Sequence, residues 1–233
     1  LTLEARLRRL SRPAEICEPG LAGMVRCRAC AHECVVAEGG AGICRVRFNQ
    51  GGKLFAPYGY VAGLRADPIE KKPFFHVLPG TAALSFGMLG GNFSCRFCQN
   101  WLSSQALRDP QAGCAVRECG PEEVAALAKE DRCPVIVSTY NEPLITSEWA
   151  AAIFRKARAA GLRCGYVSNG HATREVLEYL RPWLDLYKVD LKGFDEGRHR
   201  ETTGGALKHV LRTISDLAAM GIWVEVVTLV IPG

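Results

Sequence analysis

The chain has 233 residues, 48% hydrophobic and 23% charged, with a formal net charge of +5. That length buries the core of one large domain, or of one domain with an appendage, and the composition is that of a globular protein. No run of about 18 apolar residues offers a membrane span, and no basic stripe interleaves with aromatics, so neither membrane nor nucleic acid is an expected partner. The opening LTLEARLRRLSRP is charged every few residues and lacks a signal peptide's apolar stretch, which points to the cytoplasm. It reads as a short amphipathic helix ended by Pro13.

Residues 1–80 form a first region, irregular and rich in Gly, Pro and Cys. From 81 to 233 short apolar runs alternate with helical patterns. In order these are ALSFGML, PEEVAALAKE, PVIVSTY, SEWAAAIFRKARAAG, LRCGYVSNG, REVLEYL, DLYKVDLKG, ALKHVLRTISDLAAMG and WVEVVTLVIPG. Five strands separated by four helices are the mark of βαβ units and a parallel sheet. Pro121 with Glu122 and Glu123 opens one helix, and Gly161 and Gly221 close two others. The expected fold is α/β, a partial parallel (βα) barrel preceded by a small Cys-rich metal-binding region. Because the sequence stops directly after a strand and does not begin with Met, it reads as a fragment truncated after strand five.

Eleven cysteines without a leader point to metal or redox chemistry rather than to disulfides. Cys27, Cys30, Cys34 and Cys44, spaced C-x2-C-x3-C-x9-C, supply four soft thiolates, and Gly39, Gly40 and Gly42 let the chain fold back to close the set. Zinc and an iron–sulfur cluster both suit them, and spacing does not choose. His32, among them, reads as a bystander. Cys95 and Cys98 form a second set in GGNFSCRFCQNW. Taken alone, this C-x-x-C fits a thiol–disulfide pair, half a zinc site or part of an iron–sulfur site. Cys17, Cys114, Cys119, Cys133 and Cys164 read as small buried residues or idle thiols.

Ligands of parallel α/β folds sit at the carboxyl ends of strands. Those ends here carry the cysteine loop, TYNEP, SNG, DLKG and VIPG. On the fourth strand, period two puts Lys188, Asp190 and Lys192 on one face. Three charges there must pair with one another or line a polar cavity, and the cavity is favoured because the other strand ends point to it. Glu142 is a natural acceptor for an amino group, and Asn169 can both donate and accept.

These motifs resemble the radical S-adenosylmethionine (SAM) enzymes. The match is nearest to the AmmeMemoRadiSam system radical enzymes, relatives of the pyruvate formate-lyase activating enzymes. CRACAHEC, GICRVRFNQGGKL, DPIEKKPFFHVLPG, GGNFSCRFCQNW with SSQ, TYNEP, SNG, DLKG and TLVIPG occur in the expected order from Cys27 to Gly233. The resemblance implies a [4Fe–4S] cluster held by three thiolates spaced C-x3-C-x2-C, with its fourth iron chelated by the methionine part of SAM. Cys95 and Cys98 match the second and third ligands, and Phe97 would pack near the adenine. Glu142 would accept the methionine amino group, while Asn169, Asp190 and Lys192 would contact ribose and carboxylate. Reductive cleavage of SAM would then give a 5′-deoxyadenosyl radical that takes hydrogen from a substrate, small molecule or protein, with flavodoxin or ferredoxin as electron donor.

The departure is Gly91, which stands where the first cluster cysteine belongs. Three explanations compete: an isolated change in a chain otherwise built for the chemistry, recruitment of Cys114 or Cys119 as a third ligand, or a degenerate homologue. The last leaves a non-catalytic zinc or iron–sulfur scaffold as the alternative function. A thiol–disulfide protein using Cys95 and Cys98 is the third.

Overall fold

The computed structural model describes residues 2–230. Leu1 and the Ile231–Pro232–Gly233 end of the VIPG motif lie outside the described residues. The first helix, α1, is Leu3–Arg9, capped by the Thr2 hydroxyl on the Ala5 N–H. It stops earlier than Pro13. The Ser11 hydroxyl donates to the Leu7 carbonyl, and Ser11–Pro13 turns into a short strand antiparallel to Lys53–Pro57. A proline tolerated at a sheet edge, not one breaking a helix, is the local reason.

The N-terminal region consists of small antiparallel ribbons. Lys53–Pro57 also pairs with Phe48–Gln50, and Val25–Cys27 lies between Cys17–Pro19 and Val35–Val36. The region is tied to the main body by a buried ion pair. Both Arg47 guanidinium ends donate to Glu148 at 2.8 Å, and Glu148 also accepts the Glu15 and Ile16 N–H groups.

The main body is one six-stranded sheet. Its strands are β1 (Gly63–Pro68), β2 (Ala82–Gly87), β3 (Val135–Ser138), β4 (Arg163–Ser168), β5 (Leu186–Asp190) and β6 (Trp223–Val227), adjacent in chain order. Strands β2 to β6 run parallel, and β1 adds to β2 in antiparallel sense. The connecting helices are α2 (Pro121–Glu130), α3 (Ser147–Ala159), α4 (Arg174–Leu180), α5 (Glu196–Thr203) and α6 (Leu207–Ala219). The five expected parallel strands and four helices are all present. Strand β1, which lies on the N-terminal side of residue 80, and helix α5 were not expected.

Period two divides the sheet into two faces. Leu84, Phe86, Ile136, Tyr166 and Tyr187 pack outward on helix residues such as Val124, Phe154 and Val210. Ala83, Val135, Val137 and Leu186 face the other way and are closed off by Ile69, Phe74 and Val77. Glu225 pins that plug by accepting the Phe75 N–H at 2.8 Å and the His76 N–H at 3.2 Å. With one end of the inner face plugged by apolar side chains, the polar residues at the outgoing strand ends are left to form a site. Among the described residues, no helix is long and apolar enough to cross a membrane.

Candidate active site

The outgoing ends of β2 to β6 surround a cavity of about 510 Å³. Cys95, Cys98, Phe97, Glu142, Asn169, Asp190 and Lys192 all border it. Residues scattered over nearly a hundred positions are therefore neighbours, because each lies at the outgoing end of a parallel strand or in the loop that follows it.

Glu142 is held by three donors: the Ser168 hydroxyl at 2.7 Å, the Asn169 N–H at 3.0 Å and the Leu144 N–H at 3.1 Å. Burial raises its pKa to about 7, against the lowering effect of those hydrogen bonds. The Asn169 amide donates to Asn92 Oδ1 at 2.7 Å and accepts the His171 N–H at 2.9 Å. Asn92 Nδ2 is buried without a partner, an unsatisfied donor on a cavity-lining residue. The charges of the fourth expected strand do both things asked of them. Lys188 and Lys192 (at 3.4 Å) pair with the two oxygens of Asp190, and all three line the cavity.

Across the cavity, Lys72 bonds Asp67 at 2.9 Å and the Tyr140 hydroxyl at 3.1 Å, and Tyr140 meets Ser85 at 2.7 Å. Tyr140 adopts φ +71, a left-handed conformation costly for an aromatic residue. Sequence reasoning missed this group, since nothing in TYNEP signals the backbone turn that aims the tyrosine.

The cysteine loop is anchored on the C-terminal end of α5. Ser94 N–H donates to the Thr203 carbonyl at 2.9 Å, and Phe93 lies so close to Gly205 that an added Cβ would overlap its ring. His171, His199 and His32 pack around Phe93, and His209 meets His171 edge-on at 5.1 Å. Burial lowers the His171 pKa to about 3, with His32, His209 and His199 adding to it, so His171 is neutral. His32 Nε2 meets the Asn92 carbonyl at 2.9 Å, tying the N-terminal cysteine loop to the second one.

Gly90 and Gly91 differ sharply. Gly90 has φ +99, and a Cβ there would strike Val46 at 2.8 Å, so glycine is required. Gly91 has no positive φ, so its backbone conformation does not demand glycine. A Cβ there would meet the Ser104 carbonyl at 3.0 Å, Ser104 Cβ at 3.2 Å and Arg108 Nη2 at 3.5 Å, so a side chain fits only once Ser104 gives by a few tenths of an ångström. Arg108 holds the carbonyls of Gly91 and Phe93, the latter at 3.0 Å. Cys98 Sγ lies 3.2 Å from the Ser104 hydroxyl, and burial pushes Cys95 up to about 11 although Lys192 opposes it.

The protein's residues fit SAM: a buried carboxylate, a cation pair and an unsatisfied amide donor border one cavity. They do not fit a cluster held by three cysteines, because only two thiols stand there. Cys114 and Cys119 do not supply the third. Both pack against the outer core, and Cys119 is fastened by its N–H to the Gly59 carbonyl at 3.1 Å. Neither borders the cavity.

Cys27, Cys30 and Cys44 are buried and Cys34 is partly so. Burial raises the Cys30, Cys34 and Cys44 thiols, and Cys27 raises each further. The Ile43 N–H donates to Cys34 Sγ at 3.4 Å. Among the described residues no three His, Cys, Asp or Glu side chains are drawn up as a ready-made metal site. All eleven cysteines are free thiols.

The chain is 38% identical over 209 residues to an uncharacterized protein, MJ0808, of Methanocaldococcus jannaschii, covering 89% of this chain and 61% of that protein. It is 31% identical over 95 residues to the isethionate sulfite-lyase activating enzyme of Nitratidesulfovibrio vulgaris, covering 40% of this chain and 31% of the enzyme. The chain thus spans less than two thirds of these curated relatives. Among solved structures, QueE from Escherichia coli aligns with a TM-score of 0.44 at 11% identity, over 73% of this chain and 94% of QueE. The model of the radical SAM superfamily matches residues 87–233, from the end of β2 through the cysteine loop and every strand exit described above, and this chain belongs to that superfamily.

Proposed function

We propose that the chain binds SAM across the outgoing ends of β2 to β5 and is built to direct its reductive cleavage, in the manner of the activating enzymes and of the AmmeMemoRadiSam branch. The observation that carries this reading is the cavity where Glu142, Asn92, Asn169, Asp190 and Lys192 meet the Cys95–Cys98 loop. Glu142 would accept the methionine amino group, and Lys192 would face the carboxylate. The free Asn92 amide would find its partner in the bound nucleoside. A [4Fe–4S] cluster would supply the electron for cleavage only where a third thiolate, such as a cysteine at 91, joins Cys95 and Cys98. The chain's own part is to hold the sulfonium in a site screened from water.

Gly91 is read as a local lesion in an otherwise complete site. The backbone there is ordinary, and the surrounding strand exits keep their polar residues. The test is anaerobic reconstitution of the chain beside Gly91→Cys. The variant is expected to gain iron and sulfide and to cleave SAM, whereas the unaltered chain holds less cluster. A variant that gains neither sinks the proposal in favour of a non-catalytic scaffold.

The N-terminal thiols Cys27, Cys30, Cys34 and Cys44 would close on one zinc ion or a second cluster, with Gly39 and Gly40 allowing the adjustment. Zinc added to the reduced chain is expected to bind at about one ion per chain and raise Tm, since metal binding to such a set is folding free energy. Cys34→Ser with Cys44→Ser should abolish both effects. A flexible substrate class, small molecule or protein, and a flavodoxin- or ferredoxin-like electron donor complete the proposal.

A further inference from the structure

We infer that Cys17 and Cys27 are an oxidation site, a thiol pair placed to form a reversible disulfide across the N-terminal ribbon. In the sequence Cys17 is an idle thiol, with nothing in the spacing to join it to Cys27. The ribbon joins them. Cys17 and Cys27 stand opposite each other where Cys17–Pro19 runs antiparallel to Val25–Cys27. They also share a face: Cys17 packs with Cys27, Val25, Val36 and Leu54, while Arg26, on the other face, is exposed.

An antiparallel ladder alternates two kinds of opposed pair, and only one brings side chains close together. Ile16 and Arg28 are a hydrogen-bonded pair, with the Arg28 N–H on the Ile16 carbonyl at 3.1 Å. Gly20 and Met24 are another, through the Gly20 N–H on the Met24 carbonyl at 2.8 Å. Alternation between these two leaves Cys17 and Cys27 as a non-hydrogen-bonded pair, the kind with Cα atoms about 4.5 Å apart and the closer Cβ atoms. A disulfide asks for Cα atoms about 4.4–6.8 Å apart and Cβ atoms about 3.5–4.5 Å apart. The Cys27 N–H points the other way and donates to the Cys34 carbonyl at 2.9 Å, so Cys27 and Cys34 are the wider, hydrogen-bonded kind. The Cys34 sulfur is also engaged elsewhere, accepting the Ile43 N–H at 3.4 Å.

Access is divided between the two thiols. Cys27 is 6% exposed, whereas Cys17 is partly exposed and its S–H, a weak donor, reaches the Ala14 carbonyl at 3.5 Å. A low-molecular-weight disulfide therefore meets Cys17 first. The Cys17 thiolate attacks one sulfur of that reagent and its S–S bond breaks; one half leaves as a thiol and the other stays on Cys17. The Cys27 thiolate then attacks the Cys17 sulfur and expels the second half as a thiol. Two protons and two electrons pass to the reagent, and the protein gains one S–S bond. Burial raises the Cys17 thiol, which slows the first attack without altering the geometry. The bond withdraws Cys27 from Cys30, Cys34 and Cys44. Resting on the reading that those four thiols close on zinc, oxidation at Cys17 switches that site off.

The test treats the reduced, metal-free full chain with excess oxidised glutathione, in buffer and in urea. Remaining thiols are blocked with iodoacetamide, and linked tryptic peptides are mapped by mass spectrometry. In the folded chain the first intramolecular link is expected between Cys17 and Cys27, with alkylation lost at both positions and regained after dithiothreitol. In urea that preference should vanish, because loop closure then favours nearer thiols such as Cys27 and Cys30. Cys17→Ser should abolish the link, and Cys34→Ser should leave it intact. The inference is overturned if Cys17 remains alkylatable in the folded chain, if Cys27 links to Cys30, Cys34 or Cys44 instead, or if the same link prevails in urea. Zinc gives a separate readout: the oxidised chain should lose the zinc uptake of the reduced chain and recover it on reduction. Absence of zinc uptake by the reduced chain overturns the zinc reading alone, since the peptide map judges the disulfide by itself.

Discussion

Replacing Glu148 by alanine is expected to destabilise the protein by about 3–5 kcal/mol, the usual cost of breaking a buried ion pair from one side. Arg47 and Glu148 are 1% and 3% exposed. Without its carboxylate the guanidinium would keep only the Ile145 carbonyl at 3.1 Å, and its Nε is already without a partner. The loss reaches further, because Glu148 also receives the backbone of Glu15 and Ile16. Burial alone would raise the Glu148 pKa, but Arg47 overrides it and holds the carboxylate below its usual range. A group depressed in the folded state stabilises above its unfolded pKa, so this contribution fades as pH falls through the acid range. Urea melts of Glu148→Ala, Arg47→Met and the double variant Arg47→Met/Glu148→Leu decide the matter. The double variant is expected to recover most of the loss. A double-variant cost equal to the sum of the two single costs would show that the pair is not coupled.

The second large effect concerns Glu142. Its removal to alanine is expected to weaken SAM binding by about 2–5 kcal/mol, roughly thirtyfold or more in Kd, because the ligand's amino cation would be left without its counter-charge. The pH profile gives the sharper test. With a folded pKa of about 7, Glu142 is mostly protonated in mild acid and ionises through neutrality. Affinity should therefore climb as pH rises to about 7 and decline once the amino group itself loses its proton, near the ordinary α-amino range of about 8. The same group acts on stability with opposite sign to Glu148. Its folded pKa lies above the unfolded value, so the folded state holds the extra proton, and stability falls as pH rises from about 4.3 to about 7. Glu142→Gln should flatten both slopes in calorimetry and thermal melts. A wild-type-like affinity profile in that variant would remove Glu142 from the amino site.

Much of this was legible before the fold was known, for definite reasons. Apolar runs such as PVIVS and LYKVD announce strands buried on both faces, and Gly161 and Gly221 sit at helix ends with φ +79 and +76. The elements that escaped notice lack those signals. Strand β1, GLRADP, is mostly exposed and holds a glycine and a proline, as a sheet edge permits but a sequence scan reads as loop. Helix α5, EGRHRETT, buries only His199 and Thr203, so it has no apolar stripe to find. Its Asp195 cap and left-handed Gly204 were the available marks. The site residues at strand ends could be named because topology alone gathers them. The Asn92 amide, the Tyr140 turn and the Ser104 hydroxyl could not, since each depends on how a loop closes in space.

The contact between Phe93 and Gly205 extends control of the cysteine loop to the molecule's outer layer. A methyl group added to that glycine has nowhere to go except into the aromatic ring, and the ring belongs to the strand of backbone that carries both sulfurs two and five positions later. One missing side chain in a helix linker therefore sets how far the two thiols reach over the cavity. The rim of the cavity can thus be reshaped from a residue that does not border it.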